Sequence, residues 1–433
     1  MRTNEGEVFM KEKINAYIER ELDNILEDTR ALIAIESVNG VKEKTDEALD
    51  YVIGIGKRMG FDIKVASTHD VATISYGTGR PVLGVLFHCD VVEPGELGKW
   101  TKPPYEMSIR DGKIYGRGIS DDKGPAVMSL YALKFLKDNG IAPNKEIRLI
   151  VGTSEESYWS DIDSYKREFD LPDYGYSPDG AFPIYNREKG YLDVELTFEE
   201  DLSGLSELKG GYGVNSIPSS ASCILNGEKK EFDGIGAHSS QPQLGKNAIV
   251  MMAEELRELG RLRFADFIAE FFGEQGEESY LDRTLVKSEE EGGDTTIVPT
   301  TLRQEGNKII INFNTRARYG IKGQDVVDCL KKGEEKYGYK VSVIENLEPL
   351  FVDSNKDWLD RMAETYEEYG YENSFVLAAG CSYAKSLENF VSWGPVFPDD
   401  PETAHMEDEM LSLSSFKEAL RIYISYLIKE SAN

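Results

Sequence analysis

The chain has few cysteines and no long apolar run. Its 433 residues include four cysteines, none of them in a Cys-x-x-Cys pair, so neither a disulfide framework nor a cysteine zinc site is indicated. No stretch of about 18 apolar residues occurs, and the charged N-terminal segment lacks the apolar core of a signal peptide. The sequence therefore predicts a protein of the reducing cytoplasm without a membrane-spanning helix.

Basic side chains are also scarce relative to acidic ones. Lys and Arg number 49 against 78 Asp and Glu, which gives a formal net charge of −29. A surface this negative repels phosphate groups, so nucleic acid and anionic membranes are not expected partners. Most of the acidic residues are expected to lie on solvated helix faces. With 40% hydrophobic residues, the composition is that of an ordinary globular protein.

Apolar spacing predicts an α/β fold for the first part of the chain. Helical periodicity runs from about residue 14 to 35 and from 46 to 59. Segment 82–87 is almost wholly apolar, as in a strand buried on both faces of a parallel sheet. A helix is predicted from about 125 to 139, and another buried strand over 147–151. Such alternation indicates a doubly wound, mainly parallel sheet flanked by helices.

The pattern changes near residue 190. An alternating strand over 191–198 is followed by helices interleaved with strands, which indicates a separate α+β insertion. From about residue 356 the helix–strand alternation resumes. The predicted organisation is therefore one discontinuous catalytic α/β domain, residues 1–186 and 351–433, interrupted by an inserted α+β lid domain, residues 187–350.

Polar residues cluster where the predicted strands end. His88 and Asp90 follow one strand, the pair Asp121-Asp122 precedes a helix, and the pair Glu155-Glu156 follows the next strand. Each has an ordinary alternative: a satisfied strand-end histidine, a helix N-cap and a solvated loop. Ligand sites in open α/β sheets lie at the carboxyl ends of strands, so these side chains are expected to converge. Carboxylates packed so closely would repel each other unless cations neutralised them.

The residue types suit a pair of metal ions. Two divalent ions about 3.5 Å apart need a bridging carboxylate, further His and carboxylate ligands, and a shared water. Imidazole and carboxylate ligands fit Zn, Co or Mn. Asp90, two residues after His88, is placed to accept the second ring N–H of that histidine. Of two adjacent glutamates, one can bind metal while the other stays free for proton transfer.

Four motifs resemble, in order and spacing, those of the M20 metallopeptidases. The resemblance is specifically to the bacterial Xaa-His dipeptidase, or carnosinase-like, branch, and the last motif separates that branch from desuccinylases and acylases. The motifs are Phe87-His88-Cys89-Asp90-Val91-Val92, Tyr115-Gly116-Arg117-Gly118-Ile119-Ser120-Asp121-Asp122-Lys123-Gly124-Pro125, Gly152-Thr153-Ser154-Glu155-Glu156, and Tyr176-Ser177-Pro178-Asp179 with Phe182-Pro183 and Glu188-Lys189-Gly190.

The resemblance implies two divalent ions, zinc in the first place, with manganese or cobalt as alternatives. His88 and Asp179 would bind one ion, and Glu156 and His405 would bind the other. Asp121 would bridge the two ions. Glu155 would be the general base, taking a proton from a water shared by the ions. Apart from the resemblance, Asp179 could be a turn residue and His405 a surface histidine.

Further residues match the family's substrate-binding positions. His238 would stabilise the developing oxyanion, and Asn215 would help to polarise the scissile carbonyl. Arg316 would bind the substrate's terminal carboxylate, although a strand-end salt bridge is the alternative. Cys381 and Ser382 stand where the family has Gly-Thr, and backbone amides there could meet the same carboxylate. This departure affects the specificity expected, but not the metal ligands.

The expected activity is that of a metallopeptidase that hydrolyses short unblocked peptides, a dipeptidase. One alternative is an M20 amidohydrolase acting on N-acyl or N-succinyl amino acids. Another is a metal-binding protein without catalysis, against which the presence of Glu155 counts. The insertion is longer than in the dimeric branches of the family, which favours a monomer over a dimer. A small peptide is the expected partner.

Overall fold

The chain forms two compact units in the computed structural model, which describes residues 2–272, 295–378 and 380–432. The first unit comprises Met1–Asn186, Val352–Val376 and Ser382–Asn433, and the second comprises Arg187–Phe351 and Leu377–Cys381. The short segment Leu377–Cys381, which lies in the predicted catalytic domain, groups with the insertion. Its backbone pairs there, since the Lys189 N–H donates to the Ala378 carbonyl at 3.1 Å.

The chain up to residue 188 alternates between helices and strands. The helices are Arg2–Ile33 (α1), Lys42–Arg58 (α2), Lys123–Asp138 (α3) and Ser160–Glu168 (α4), with a 3-10 turn at Leu97–Lys99. The strands are Asp62–Val65 (β1), Val71–Tyr76 (β2), Leu83–His88 (β3), Ser108–Arg110 (β4), Lys113–Tyr115 (β5), Ile147–Gly152 (β6), Tyr174–Ser177 (β7) and Ile184–Glu188 (β8).

The middle of the chain is richer in strands. These are Gly190–Glu199 (β9), Leu205–Gly210 (β10), Ser216–Ile217 (β11), Ser220–Leu225 (β12), Glu228–Asp233 (β13), Ala237–His238 (β14), Thr296–Glu305 (β15), Lys308–Ala317 (β16), Tyr339–Leu347 (β17) and Leu350–Phe351 (β18). The described helices are Ala248–Arg257 (α5), Arg263–Phe272 (α6), Gly323–Lys332 (α7) and Glu334–Tyr337 (α8), with a 3-10 turn at Pro242–Leu244.

The C-terminal part returns to alternation. Its helices are Asp357–Glu368 (α9) and Leu413–Ala432 (α10), with a 3-10 turn at Tyr383–Ser386. Its strands are Phe375–Ala378 (β19), Phe390–Trp393 (β20) and Met410–Ser412 (β21). Within the described residues, no helix is long and apolar enough to cross a membrane.

A mixed sheet forms the centre of the first unit, in the order β1-β2-β6-β3-β7-β20-β8. The four central strands β6, β3, β7 and β20 run parallel, whereas β1, β2 and β8 are antiparallel to their neighbours. The predicted α/β fold with a mainly parallel sheet is confirmed, with antiparallel strands at its edges. In the register of β3 and β6, His88 pairs with Gly152, so the residues after both strands meet at one edge.

The helix after the Asp121-Asp122 pair packs closely on the loop before it. Strand β3 is buried over its whole length, and α3 begins at Lys123 with Pro125 in its first turn. Gly124 is required here, because a Cβ at that position would lie 2.1 Å from the carbonyl oxygen of Ile119. This close approach fixes the position of the two aspartates that precede the helix.

The second unit contains an antiparallel sheet of seven strands, in the order β13-β12-β10-β15-β16-β9-β17. Helices α5 and α6 supply apolar side chains to its buried core, among them Ile249, Phe264 and Phe267, which join Phe313 and Tyr339 from the sheet. A separate ribbon of two strands pairs β11 with β14. The insertion is therefore α+β in character, as its sequence pattern predicts.

Candidate metal centre

His88, the last residue of β3, has a fully buried side chain. Its Nδ1 lies 3.0 Å from the Asp90 carbonyl oxygen and 3.4 Å from Asp90 Oδ1. The sequence predicts that the Asp90 carboxylate accepts from this ring N–H; the carboxylate lies near it, and the main-chain carbonyl of Asp90 is the nearer of the two groups. With the proton assigned to Nδ1, the other ring nitrogen is left with its lone pair.

Asp121 lies between two imidazoles. Its Oδ1 is 3.0 Å from His88 Nε2, and its Oδ2 is 2.9 Å from His405 Nε2. A carboxylate that faces a different histidine with each oxygen has the geometry of a bridging ligand. The neighbouring Asp122 is the N-cap residue of α3, but its side chain does not cap the helix; it accepts from the His88 N–H at 3.2 Å. The helix-cap alternative therefore does not describe these side chains.

The remaining predicted ligands lie in the same cluster. Potential ligand atoms fall within 4.8 Å of one another in two groups, which are His88 with Glu155 and Asp179, and Asp121 with Glu156 and His405. His88 Nε2 is 3.9 Å from Asp179 Oδ2, and His405 Nε2 is 3.0 Å from Glu156 Oε1. The structure thus brings all five predicted metal ligands and the predicted base together in the first unit.

Burial and neighbouring groups shift the pKa values of side chains in this cluster. Burial, together with the negative charge of Asp179, raises the pKa of Glu155 well above its usual range. Burial and the charge of Asp121 raise the pKa of Asp179 to about 7. Burial alone would lower the pKa of His405, but hydrogen bonds to Asp121 and Glu156 raise it to about 11. Without cations, the cluster is therefore expected to hold protons that divalent ions would displace.

These residues fit a pair of divalent cations. His88 Nε2 is buried and makes no hydrogen bond of normal geometry with any residue in the described ranges, although two carboxylates face it. The donor atoms are imidazole nitrogens and carboxylate oxygens, which suit zinc, manganese and cobalt. The adjacent thiol of Cys89 instead donates to the Gly152 carbonyl at 3.3 Å. The Asp90 carboxylate accepts from the main-chain N–H groups of Glu155 and Glu156 and leaves the ligand positions to the other carboxylates.

Glu409 supports the loop that carries Asp121, a role that the local sequence pattern does not indicate. Its carboxylate is buried and accepts from the N–H groups of Gly118, Ser120 and Asp121, at 2.9, 2.9 and 3.3 Å. Arg117 also donates to this carboxylate, at 2.9 Å. The loop that carries Asp121 is thus wrapped around one carboxylate. Arg117 and Glu409 are 292 residues apart in the chain, so the spacing of neighbouring residues does not predict their pairing.

Replacing Glu409 with Gln should weaken both the fold and the metal centre. The amide would lose an acceptor for the loop N–H groups and leave the buried Arg117 without its counter-charge, at a cost of about 3 kcal/mol. We expect a lower melting temperature and metal affinity reduced about ten- to hundred-fold. Glu407→Gln, on the same loop but partly exposed, is the matched control. Wild-type melting and metal retention in Glu409→Gln would contradict this role.

Three predicted substrate residues lie together in the second unit. Asn215 directly precedes β11, whose Ser216 pairs with His238 on β14. His238 Nδ1 is 2.7 Å from Ser240 Oγ, and burial together with the charge of Arg316 lowers the pKa of His238. Arg316 is buried in β16 and stacks on the Tyr191 ring, with its guanidinium carbon 4.7 Å from the ring centre. The structure therefore places Asn215 beside the strand that carries His238, whose imidazole is close enough to Arg316 to sense its charge.

The predicted pair Cys381-Ser382 spans the boundary between the two units. Cys381 Sγ lies 3.8 Å from the Lys189 carbonyl oxygen in the second unit. In the first unit, Ser382 Oγ accepts from the Ala384 N–H at 3.3 Å. The Ser392 hydroxyl lies 3.0 Å from Ser382 Oγ and 2.9 Å from the Asp179 carbonyl oxygen. Ser382 is thus one hydroxyl away from the main chain of a candidate ligand.

The chain is similar to known peptidases. The sequence model of "Peptidase family M20/M25/M40" matches residues 84–429. The Beta-Ala-Xaa dipeptidase of Lactobacillus delbrueckii subsp. lactis is 29% identical, over 94% of this chain and 95% of its own length. Human carnosine dipeptidase 1 has a similar solved structure, with a TM-score of 0.67, 15% identity, and coverage of 98% of this chain and 100% of that one.

A second solved structure is also similar. The aminoacylhistidine dipeptidase from Vibrio alginolyticus gives a TM-score of 0.65 at 15% identity, covering 94% of this chain and 96% of its own. At these identities, the two solved structures show a shared fold and nothing more about the chemistry.

Proposed function

We propose, since the chain belongs to peptidase family M20/M25/M40, that it is a metal-dependent dipeptidase acting on short unblocked peptides. The family expected from the motifs is confirmed by the match over residues 84–429. The observation that carries the proposal is the position of Asp121, with one oxygen toward His88 and the other toward His405. A bridging carboxylate between two imidazoles is what a pair of hydrolytic metal ions requires.

The metal ligands proposed are the five predicted from the sequence. His88 and Asp179 would hold one ion, Glu156 and His405 the other, and Asp121 both, in keeping with the contacts among these side chains. When bound, the two ions would polarise the scissile carbonyl and acidify a water molecule. Zinc is the metal proposed, with manganese and cobalt accepted by the same ligands.

Glu155 is proposed as the general base and later the general acid. It adjoins the ligand Glu156, and its carboxylate lies within reach of His88 and Asp179. Its task is to take a proton from the attacking water and to deliver a proton to the leaving amine. Asp90 would keep His88 in the tautomer that presents Nε2, because its carbonyl and carboxylate both face Nδ1.

The substrate residues proposed lie in the second unit, apart from Ser382. His238 would donate to the oxyanion, Asn215 would polarise the carbonyl, and the guanidinium of Arg316 would bind the terminal carboxylate. Their grouping around β14 and β16 supports this division of roles. Backbone amides at Cys381 and Ser382 are proposed as further contacts to the carboxylate.

The proposal is tested by hydrolysis assays on protein loaded with zinc or manganese. The panel contains unblocked dipeptides, including β-alanyl and Xaa-His pairs, and the matching N-acetyl and N-succinyl amino acids. We expect cleavage of the unblocked dipeptides and none of the blocked compounds. Cleavage of blocked compounds alone would instead select the amidohydrolase. If nothing is cleaved, the proposed function fails. The cytoplasmic location and the monomeric state stay predictions from the sequence.

A further inference from the structure

The Glu155-Glu156 pair lies in a turn, outside the helices and strands. Strand β6 ends at Gly152 and helix α4 begins at Ser160, so no sheet or helix satisfies the main chain of the pair. Its two N–H groups instead donate to one carboxylate. The Glu155 N–H donates to Asp90 Oδ1 and the Glu156 N–H donates to Asp90 Oδ2, both at 3.2 Å.

The two carbonyls of the pair are bound by two different side chains. The indole Nε1–H of Trp159 donates to the Glu155 carbonyl at 2.8 Å. The side-chain amide of Asn39 donates to the Glu156 carbonyl. All four main-chain polar groups of the pair are therefore held by side chains, and each carbonyl has its own donor.

Trp159 is itself fixed in an unusual conformation. Its backbone is left-handed, with φ at 52°, which is unfavourable for a bulky side chain. The indole ring meets the Tyr383 ring edge-on, with 5.9 Å between their centres. Tyr383 in turn donates to Asp161, which accepts from the Thr153 N–H at 2.6 Å. The Trp159 side chain is thus held by its hydrogen bond to the Glu155 carbonyl and by its contact with the Tyr383 ring.

Asn39 is tied to the segment that follows His88. Its N–H donates to the Val91 carbonyl at 2.9 Å, and the Val91 N–H donates to the Ser37 carbonyl at 3.0 Å. The Ser37 hydroxyl donates to the Cys89 carbonyl at 2.6 Å. Asn39 therefore connects the segment after β3 to the turn after β6. It also lies outside the part of the chain that the family model matches, which begins at residue 84.

We infer that Trp159 and Asn39 are positioning residues, with Trp159 holding the base Glu155 and Asn39 holding the ligand Glu156. The inference deepens the proposed function and rests on it for the roles of the two glutamates. Because each donor holds a different carbonyl, the two residues have separable effects. Loss of the Trp159 donor slows proton transfer, whereas loss of the Asn39 donor loosens the ion that Glu156 binds.

Trp159→Phe tests the first half, since it keeps an aromatic ring and removes the indole N–H. We expect kcat on the best dipeptide to fall about ten- to hundred-fold, with KM within about twofold and metal content unchanged. Tyr158→Phe is the control, because Tyr158 is the adjacent aromatic residue and is 81% exposed. An unchanged kcat, or a fall that follows loss of metal or of folded protein, would overturn this half.

Asn39→Leu and Asn39→Ala test the second half, and both remove the amide donor. We expect the dissociation constant of one of the two ions to rise about tenfold or more in both variants, measured by equilibrium competition with a chromogenic chelator for zinc. Asn24→Ala is the control, because Asn24 is exposed and its side-chain amide donates to Glu21 on the same helix, α1. A change in Asn39→Ala that is absent from Asn39→Leu would indicate packing alone and would overturn this half.

The two proposals fail in different ways. If the wild-type protein cleaves no peptide in the panel, the proposed function is wrong, and the zinc titration of the Asn39 variants still decides whether Asn39 positions a ligand. If the wild type is an active dipeptidase, and the four variants at Trp159, Tyr158 and Asn39 have the same kcat and the same zinc affinities, the inference fails and the proposed function stands.

Discussion

Replacing Glu155 with Gln should reduce kcat by about 10³-fold while leaving the metal content at the wild-type level. The amide keeps the size of the side chain but cannot accept a proton from water. Glu156 and the other proposed ligands are unchanged, so the cations should stay. The measurement is steady-state hydrolysis of an unblocked dipeptide, with elemental analysis of the same preparation.

Glu96→Gln provides the control for this prediction. Glu96 is an exposed residue of the same unit, and its carboxylate pairs with Lys99 at 2.8 Å. We expect this variant to match the wild type in rate and in metal content. If Glu155→Gln retained full activity, Glu155 would not be the base. If it lost activity and metal together, its role would be that of a ligand, beside His88 and Asp179.

Asp121→Ala should greatly weaken the binding of both ions. The substitution removes a carboxylate that faces His88 with one oxygen and His405 with the other. Loss of outer partners of a metal site already costs about ten- to hundred-fold in affinity, so loss of a shared ligand should cost about a hundredfold or more for each ion. Activity should disappear with the metal. Equilibrium competition with a chromogenic chelator measures both affinities.

The matched control for Asp121→Ala is Asp50→Asn. Asp50 is exposed and faces His69 at 3.2 Å, so it tests removal of an aspartate beside a histidine away from the cluster. Loss of a single ion from Asp121→Ala, with the second bound as in wild type, would show that Asp121 is a terminal ligand and not a bridge.

The sequence predicted the part of the fold that depends on local pattern. Segment 82–87 is almost wholly apolar, which is typical of a strand buried on both faces, and β3 is buried throughout. Pro125 and Gly140 bracket a helix that the structure begins at Lys123 and ends at Asp138. Because these elements alternate, the sheet edge where His88 and the Glu155-Glu156 pair meet followed from the pattern.

Other elements were missed for physical reasons. Helix α1 extends back to Arg2, well before the predicted start near residue 14, since its first turns are charged and carry little apolar periodicity. Helix α6 was not predicted. It contains four phenylalanines within Arg263–Phe272, and aromatic residues have low helix propensity, so its helical character depends on packing in the core of the second unit.

Some residues of the candidate site could likewise be predicted from the sequence, and others could not. His88, Asp121 and Glu156 could be proposed from their positions at strand and helix ends, whereas Asp179 and His405 were assigned through the family resemblance. Glu409, Asn39 and Trp159 could not be found in advance. Their hydrogen bonds to the ligand loops depend on main-chain positions that only the folded chain brings together, and Glu409 and Asn39 act across separations of 292 and 117 residues.

Metal content is the most direct test of the two-metal centre. The full-length wild-type protein is incubated with excess zinc, passed through a desalting column and analysed for bound metal per chain, beside the Asp121→Ala variant. We expect two zinc ions per wild-type chain, held by the five proposed ligands, and none in the Asp121→Ala variant. Active wild-type protein with fewer than one ion per chain, or a variant that retains both ions, would contradict this expectation.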